Sequence, residues 1–343
     1  MCDKEQKRVG TVGAKPGCSS GCRISAALAF IALAVALPAA QAQTPYPVKP
    51  LRWVVPFAPG GGGDIVIRTL AQRLGEALGQ TVVVENRSGA GGNVGTDAVA
   101  KAPPDGYTLL MANVAPMAIN VTLYSKLAYD PVRDFAPITL VATFPNVLVL
   151  HPSVPARTVR ELVALARSKP GQLTYASAGN GSTTHLAAEL FTTMAKLDMS
   201  HIPYKGGGPA LADLLGGHVS LYFGSLPAAF PHMKTSRIRA LALTSAKRSR
   251  ATPDLPTMAE SGFPGYEADT WIGAVAPGGT PAAIITRLNT ELVRILGTQD
   301  MQQFLLANGA EALSSTPDQF AAYIRTEITK WAKVIRTSGA RAD

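Results

Sequence analysis

Trp53-Val54-Val55-Pro56-Phe57-Ala58-Pro59-Gly60-Gly61-Gly62-Gly63-Asp64 is the stretch that decides the fold. Leu51 to Val55 is β-branched and aromatic, as a buried strand requires. Val66, Leu70, Leu74 and Leu78 then recur four apart, which predicts a helix, and Gly79 stands where such a helix stops. Four glycines between strand and helix let the backbone come close to a ligand, with Asp64 in the N-cap role. The first amides of a helix lack internal partners and attract anions. The loop is neither a Walker A nor a dinucleotide fingerprint, because Ile65 and Val66 occupy the closing positions and no Lys follows. The anion is therefore small and not a nucleotide.

The same design recurs along the chain. Thr81 to Glu85 reads as a second strand, followed by Asn86-Arg87-Ser88-Gly89-Ala90-Gly91-Gly92-Asn93 and a short helix. Tyr107 to Met111 is a third strand, with Asn113 just beyond it. Alternation of strands and helices predicts a parallel sheet, whose ligands sit beyond the strand carboxyl ends. Leu173 to Ala176 runs into Ser177-Ala178-Gly179-Asn180-Gly181-Ser182-Thr183-Thr184-His185, ahead of a helix whose face includes Leu186, Leu190 and Met194. Pro203-Tyr204-Lys205-Gly206-Gly207-Gly208 is a further instance. Thr158 to Glu161 and Thr316 to Gln319 are capping boxes that open two more helices.

Composition bounds the function. The chain has 343 residues, is 47% hydrophobic and 16% charged, and carries a formal charge of +9. Arg23, the apolar run Ile24 to Leu37, and Pro38-Ala39-Ala40-Gln41-Ala42 read as a secretory signal, residues 1–42, cleaved after Ala42. That segment carries five Lys/Arg and two Asp/Glu, so 27 and 21 remain and the mature chain is near +6. A mild positive field recruits anionic solutes. No basic stripe marks a nucleic-acid partner, and Lys247-Arg248-Ser249-Arg250 reads as a solvated loop. All three cysteines, Cys2, Cys18 and Cys22, precede the apolar run. The mature chain thus has no thiol nucleophile, disulfide or thiolate metal site. The histidines lack metal-ligand spacing, no cofactor motif appears, and no Gly-x-Ser-x-Gly elbow surrounds a serine.

What remains is glycines, small hydroxyls and helix N-termini, the inventory of a binding site. Four bonds to a charged group at about 1.5–3 kcal/mol and two helix termini at about 0.3–1 give roughly 7–14 kcal/mol, against about 8 for micromolar affinity.

Pro56-Phe57-Ala58-Pro59-Gly60-Gly61-Gly62, Glu85-Asn86-Arg87 with Gly89-Ala90-Gly91-Gly92, Asp105-Gly106-Tyr107, Tyr129-Asp130-Pro131, Ala178-Gly179-Asn180-Gly181-Ser182, Pro203-Tyr204-Lys205-Gly206 and Trp331-Ala332-Lys333-Val334 resemble the Bug family. These are the TctC-like extracytoplasmic receptors of tripartite tricarboxylate transporters. The resemblance covers essentially the whole mature chain. It implies an α/β periplasmic binding protein of the Venus-flytrap kind, a monomer, with a mostly parallel sheet flanked by helices in each lobe. Lobe 1 would be 43–140 plus 270–343, and lobe 2 would be 141–269. It implies a small carboxylate ligand (di- or tricarboxylate, aromatic acid or acidic amino acid) delivered to membrane permease subunits. One carboxylate would sit at Ser177 to Thr183 and the other wall would be Phe57 to Asp64.

The candidate binding residues are Phe57, Ala58, Gly60, Gly61, Gly62 and Asp64; Gly89, Ala90, Asn113 and Asn146; Ser177, Asn180, Gly181, Ser182, Thr183 and His185; and Tyr204, Gly224 and Ser225. Gly63 stands where relatives usually carry Thr, Ser or Pro. Gly224 follows Phe223 where many carry an Asp, which disfavours amino acids. Two other readings stay open: a receptor that presents its ligand to a membrane sensor, and a secreted hydrolase or lyase using His185 and Asp64.

Overall fold

A computed structural model of the chain describes residues 13–14 and 46–338. The expected signal segment and its cleavage point after Ala42 lie outside the described residues, except for Gly13 and Ala14. No helix among the described residues is long and apolar enough to cross a membrane.

The chain runs β1 (Leu51–Val55), α1 (Gly62–Leu78), β2 (Val82–Asn86), α2 (Asn93–Ala100) and β3 (Thr108–Asn113). A π-turn at Ala115–Ile119 leads into α3 (Asn120–Leu123). Then come β4 (Phe135–Phe144), β5 (Asn146–Leu150), α4 (Val159–Ser168), β6 (Thr174–Ser177) and α5 (Thr183–Ala195). The sequence continues with β7 (Ser200–Pro203), α6 (Gly207–Leu215), β8 (Leu221–Ser225), α7 (Leu226–Lys234) and β9 (Arg239–Leu243). It closes with β10 (Thr270–Pro277), α8 (Ala282–Leu296), α9 (Gln299–Ala307), β11 (Glu311–Ala312) and α10 (Pro317–Ser338).

Two sheets result. The first has the order β11-β4-β10-β3-β1-β2 and the second β7-β6-β8-β5-β9. Both are mixed rather than mostly parallel. The expected parallel pairs are present, β1 with β2 and β3, and β6 with β7 and β8. The remaining pairings, of β10 with β3 and β4, of β11 with β4, and of β5 with β8 and β9, are antiparallel. These arise because the chain changes sheets twice. It leaves the first sheet through Pro145, between β4 and β5, and re-enters it at Thr270. Parallel strands put their carboxyl ends on one edge, so the helices that follow them begin on that edge.

Local chemistry explains the elements. In α1 the buried positions Val66, Ile67, Leu70, Ala71, Leu74 and Leu78 form one apolar stripe against the first sheet. Gly79 ends it in the left-handed conformation, with its N–H on Gly75 O. Asp64 is not its N-cap. The helix starts two residues earlier, Gly61 is the cap, and the Asp64 carboxylate reaches back to Gly60 N–H at 3.0 Å. The Thr316/Gln319 capping box is reciprocal, at 2.9 and 3.2 Å. Helix α5 buries Thr184, Ala187, Ala188, Phe191 and Ala195, and Met194 is exposed. Of the expected Leu186–Leu190–Met194 face, Leu186 is buried and Leu190 packs half-buried on the core of the second sheet, so Met194 alone turns outward.

Candidate functional site

Four helices begin around one cavity of about 60 Å³ between the two sheets. From the first sheet, Gly62, Gly63 and Asp64 of α1 line it. From the second come Thr183 and Thr184 of α5, Gly207 of α6, and Ser225, which caps α7. The positive ends of these helices converge on one space. Phe57 and Phe144 supply apolar walls, and no Lys, Arg or His lines the cavity.

The donors and acceptors can be assigned. Ser182 caps α5 by accepting His185 N–H, and Leu186 N–H goes to Ser182 O. The N–H groups of Thr183 and Thr184 are then left without intrahelical acceptors. Gly62 N–H donates to Ser225 Oγ at 3.1 Å, joining α1 to the second sheet. Thr183 Oγ1 lies 2.8 Å from Thr270 Oγ1, at the point where the chain re-enters the first sheet. Asn113 Oδ1 accepts Ala115 N–H, so what Asn113 has left to offer is its amide N–H₂. Burial pushes the Tyr222 hydroxyl pKa up, so it stays a neutral donor. Asp64, the one charged residue of the lining, is occupied. Its Oδ2 accepts from Gly60 N–H and Arg68 Nε, both at 3.0 Å, and its Oδ1 from Asn86 Nδ2 at 2.8 Å.

Of the residues expected from sequence, Phe57, Ala58, Gly61, Gly62, Asp64, Asn113, Asn146, Ser182, Thr183 and Ser225 line this cavity together. Gly89, Ala90, Asn180 and Tyr204 line a second cavity of about 220 Å³, which also includes Lys205. Ala178 borders both. Gly60, Ser177, Gly181, His185 and Gly224 line neither. Ser177 is fully buried, hydrogen-bonded to His201 Nε2 at 2.7 Å and accepting Gly179 N–H at 3.1 Å. His185 stacks on His201, which stacks on Tyr175, with ring centroids 4.3 and 4.9 Å apart. Burial lowers both histidines to about 4, so they are neutral props for the loop. His185 Nδ1 accepts Gly181 N–H at 3.3 Å. It does not share a lining with Asp64.

Val55, Met111, Phe144, Thr184, Gly207, Tyr222 and Thr270 also line the cavity from outside the two expected walls, whereas Gly63 and Ala178 fall within those walls. Val55, Thr184 and Gly207 lay inside quoted stretches. Tyr222 and Thr270 carried no local signal, because strand pairing across the chain places them.

Glycines let the loops meet. Ala58 N–H donates to Lys205 O at 3.0 Å, and a Cβ on Gly206 would stand 2.6 Å from Ala58 N. A Cβ on Gly91 would stand 2.3 Å from Asn180 O. Tyr124 OH donates to that same carbonyl at 3.1 Å.

A family model described as the tripartite tricarboxylate transporter family receptor matches residues 66–340. Protein BugT of Bordetella pertussis is 41% identical over 313 residues, which span 91% of this chain and 96% of the relative. The structure of R. palustris Rpa4515 with adipate aligns with a TM-score of 0.84 at 40% identity, over 86% of this chain and 99% of that one. MatC from Rhodopseudomonas palustris with bound malate aligns with a TM-score of 0.81 at 33% identity, over 84% and 100%. The chain belongs to the receptor family of the tripartite tricarboxylate transporters, and its fold is that of the two-lobed periplasmic binding proteins.

Proposed function

We propose that this receptor captures a small carboxylate in the cavity between its sheets and delivers it to the permease subunits of a tripartite tricarboxylate transporter. The observation that carries the reading is the convergence of four helix N-termini on a cavity that no cationic side chain lines. Such a site holds a carboxylate through N–H groups and hydroxyls, each bond contributing about 1.5–3 kcal/mol. The adipate and malate bound by the two R. palustris relatives are ligands of that chemistry.

The lobes expected at 43–140 with 270–343 and at 141–269 become 46–144 with 270–338 and 146–269 among the described residues, since β4 stays paired in the first sheet as far as Phe144. They close over the ligand as a hinged pair. The hinge is the buried network in which Asn146 N–H donates to Thr244 Oγ1 at 2.8 Å and Thr244 Oγ1 donates to Ala268 O at 3.0 Å. Within the site, Thr183, Thr184 and Ser182 hold one carboxylate, and Gly61 to Asp64 with Ser225 form the opposite wall. The chain works as a monomer in the periplasm, exported by residues 1–42, and carries out no catalysis.

Thermal unfolding against mono-, di- and tricarboxylates, aromatic acids and acidic amino acids tests this. A ligand at 100 times its Kd adds about 2.7 kcal/mol to stability and raises the midpoint. A midpoint that no acid moves would contradict the reading.

A further inference from the structure

Resting on the carboxylate reading above, we propose that the bound acid also carries a hydroxyl group, and that Asn146 Oδ1 is the acceptor for it. Asn146 is fully buried and lines the cavity. Its Nδ2 donates to Ala268 O at 2.9 Å. That bond fixes which way the amide is turned, and Oδ1 is the atom left over. Oδ1 is buried and has no hydrogen-bond partner in the protein. Buried acceptors are almost always satisfied, and one left bare is costly. Here the missing partner is a donor in the cavity that Asn146 borders.

The rest of the lining says which donor it is. An ionised carboxylate only accepts, so it cannot serve Oδ1. A water can donate to Oδ1, and on the ligand itself the donor is a hydroxyl or an ammonium. An ammonium held out of water needs a counter-charge. Asp64 is the one carboxylate in the lining, and both of its oxygens are already engaged by Gly60, Arg68 and Asn86. The helix N-termini around the cavity present positive ends, which oppose a second cation. A hydroxyl supplies the donor without the charge. Ser225 Oγ, which accepts Gly62 N–H, keeps its own hydrogen to donate back to such a group. The site therefore selects hydroxy acids over the unsubstituted acids, and both over amino acids.

Matched triads that differ at one carbon test this by calorimetric titration: succinate, malate and aspartate; glutarate, 2-hydroxyglutarate and glutamate; butyrate, 2-hydroxybutyrate and 2-aminobutyrate, with both enantiomers where they exist. In the wild-type protein at least one hydroxy acid should bind about tenfold or more tighter than its unsubstituted partner, and the amino acid weakest. In Asn146→Ala the hydroxy-to-unsubstituted ratio should fall toward one. The ratio is read within each protein, so loss of the Ala268 bond cancels from it, and if the variant does not fold the wild-type ratios alone decide. Acids that bind with no gain from the hydroxyl, or an amino acid that binds tightest, would overturn the inference and leave the carboxylate reading standing. A ratio that survives Asn146→Ala would overturn the assignment to Asn146. If no acid in any triad binds, the carboxylate reading fails and this inference with it.

Discussion

Gly208 lies so close to the Pro59 carbonyl that a Cβ on it would stand 1.9 Å from that oxygen. Pro59 belongs to the loop after β1, and Gly208 to the first turn of α6. The two loops meet by backbone alone, and no side chain can be inserted without driving them apart. Gly208→Ala should therefore oppose closure of the lobes. Alanine favours a helix by about 0.8–1.0 kcal/mol over glycine, so the open form should be no less stable. The expected outcome is ligand affinity lowered about tenfold or more, with the ligand-free unfolding midpoint unchanged or raised. Small-angle scattering should show the variant staying expanded when ligand is added. Unchanged affinity would show that this contact is not part of the bound state.

Ser182 and Thr183 adjoin, but they do different work. Ser182 accepts His185 N–H as the cap of α5, so Ser182→Ala should lower stability by about 0.5–2 kcal/mol as well as weaken binding. Thr183 leaves the cap alone, and its hydroxyl meets Thr270 Oγ1 across the lobes. Thr183→Val should leave the unfolding midpoint nearly level and lower affinity by about tenfold or more, the worth of a bond to a charged group. Calorimetric titration of the pair separates the two roles. Equal loss of stability in both variants would contradict the division.

Acid should destabilise the ligand-free protein through the buried ring stack. Burial holds His185 and His201 down to about 4, and the neighbouring His185 lowers His201 further. Their unfolded value is about 6.5, so between pH 6.5 and 4 the unfolded chain binds more protons and stability falls as pH falls. Glu189, against His185 Nε2 at 3.7 Å, tempers this. Asp269 works the other way. Burial raises it to about 6, with Glu267 also raising it and Lys330 lowering it. The folded state then holds the extra proton between about 3.8 and 6, and stability rises as pH falls there. Two histidines outweigh one acid, so the midpoint should be level above pH 6.5 and drop below it. Asp269→Asn should steepen the drop, and His201→Gln should flatten it. Calorimetric midpoints across pH 4 to 8 check this, and a steeper drop in His201→Gln would reverse the assignment.

Local patterning carried the strand–loop–helix units into the sequence reading, because a glycine loop between an apolar strand and a periodic helix is written in neighbouring residues. It carried the loops that meet at the cavity, whereas the two-lobed class came with the family resemblance. It did not carry the antiparallel half of each sheet, since β10 comes from a segment far from its partners β3 and β4. Tyr222 and Thr270 were missed for that same reason. Helix α7 was hidden by Pro227 and Pro231, one in its first turn and one inside it. Nor could sequence separate the loops into two cavities. Gly89 and Asn180 read as kin to Gly61 and Ser182, and only the packed structure puts them around a different space.

The most direct test of the central claim is calorimetric titration of protein that has been unfolded and refolded to strip any ligand carried through purification. Mono-, di- and tricarboxylates are titrated in turn. The expected result is saturable one-site binding of at least one acid, at about micromolar Kd or tighter, abolished or weakened by Thr183→Val and Gly208→Ala. A folded, stripped protein that takes up none of the acids would contradict it.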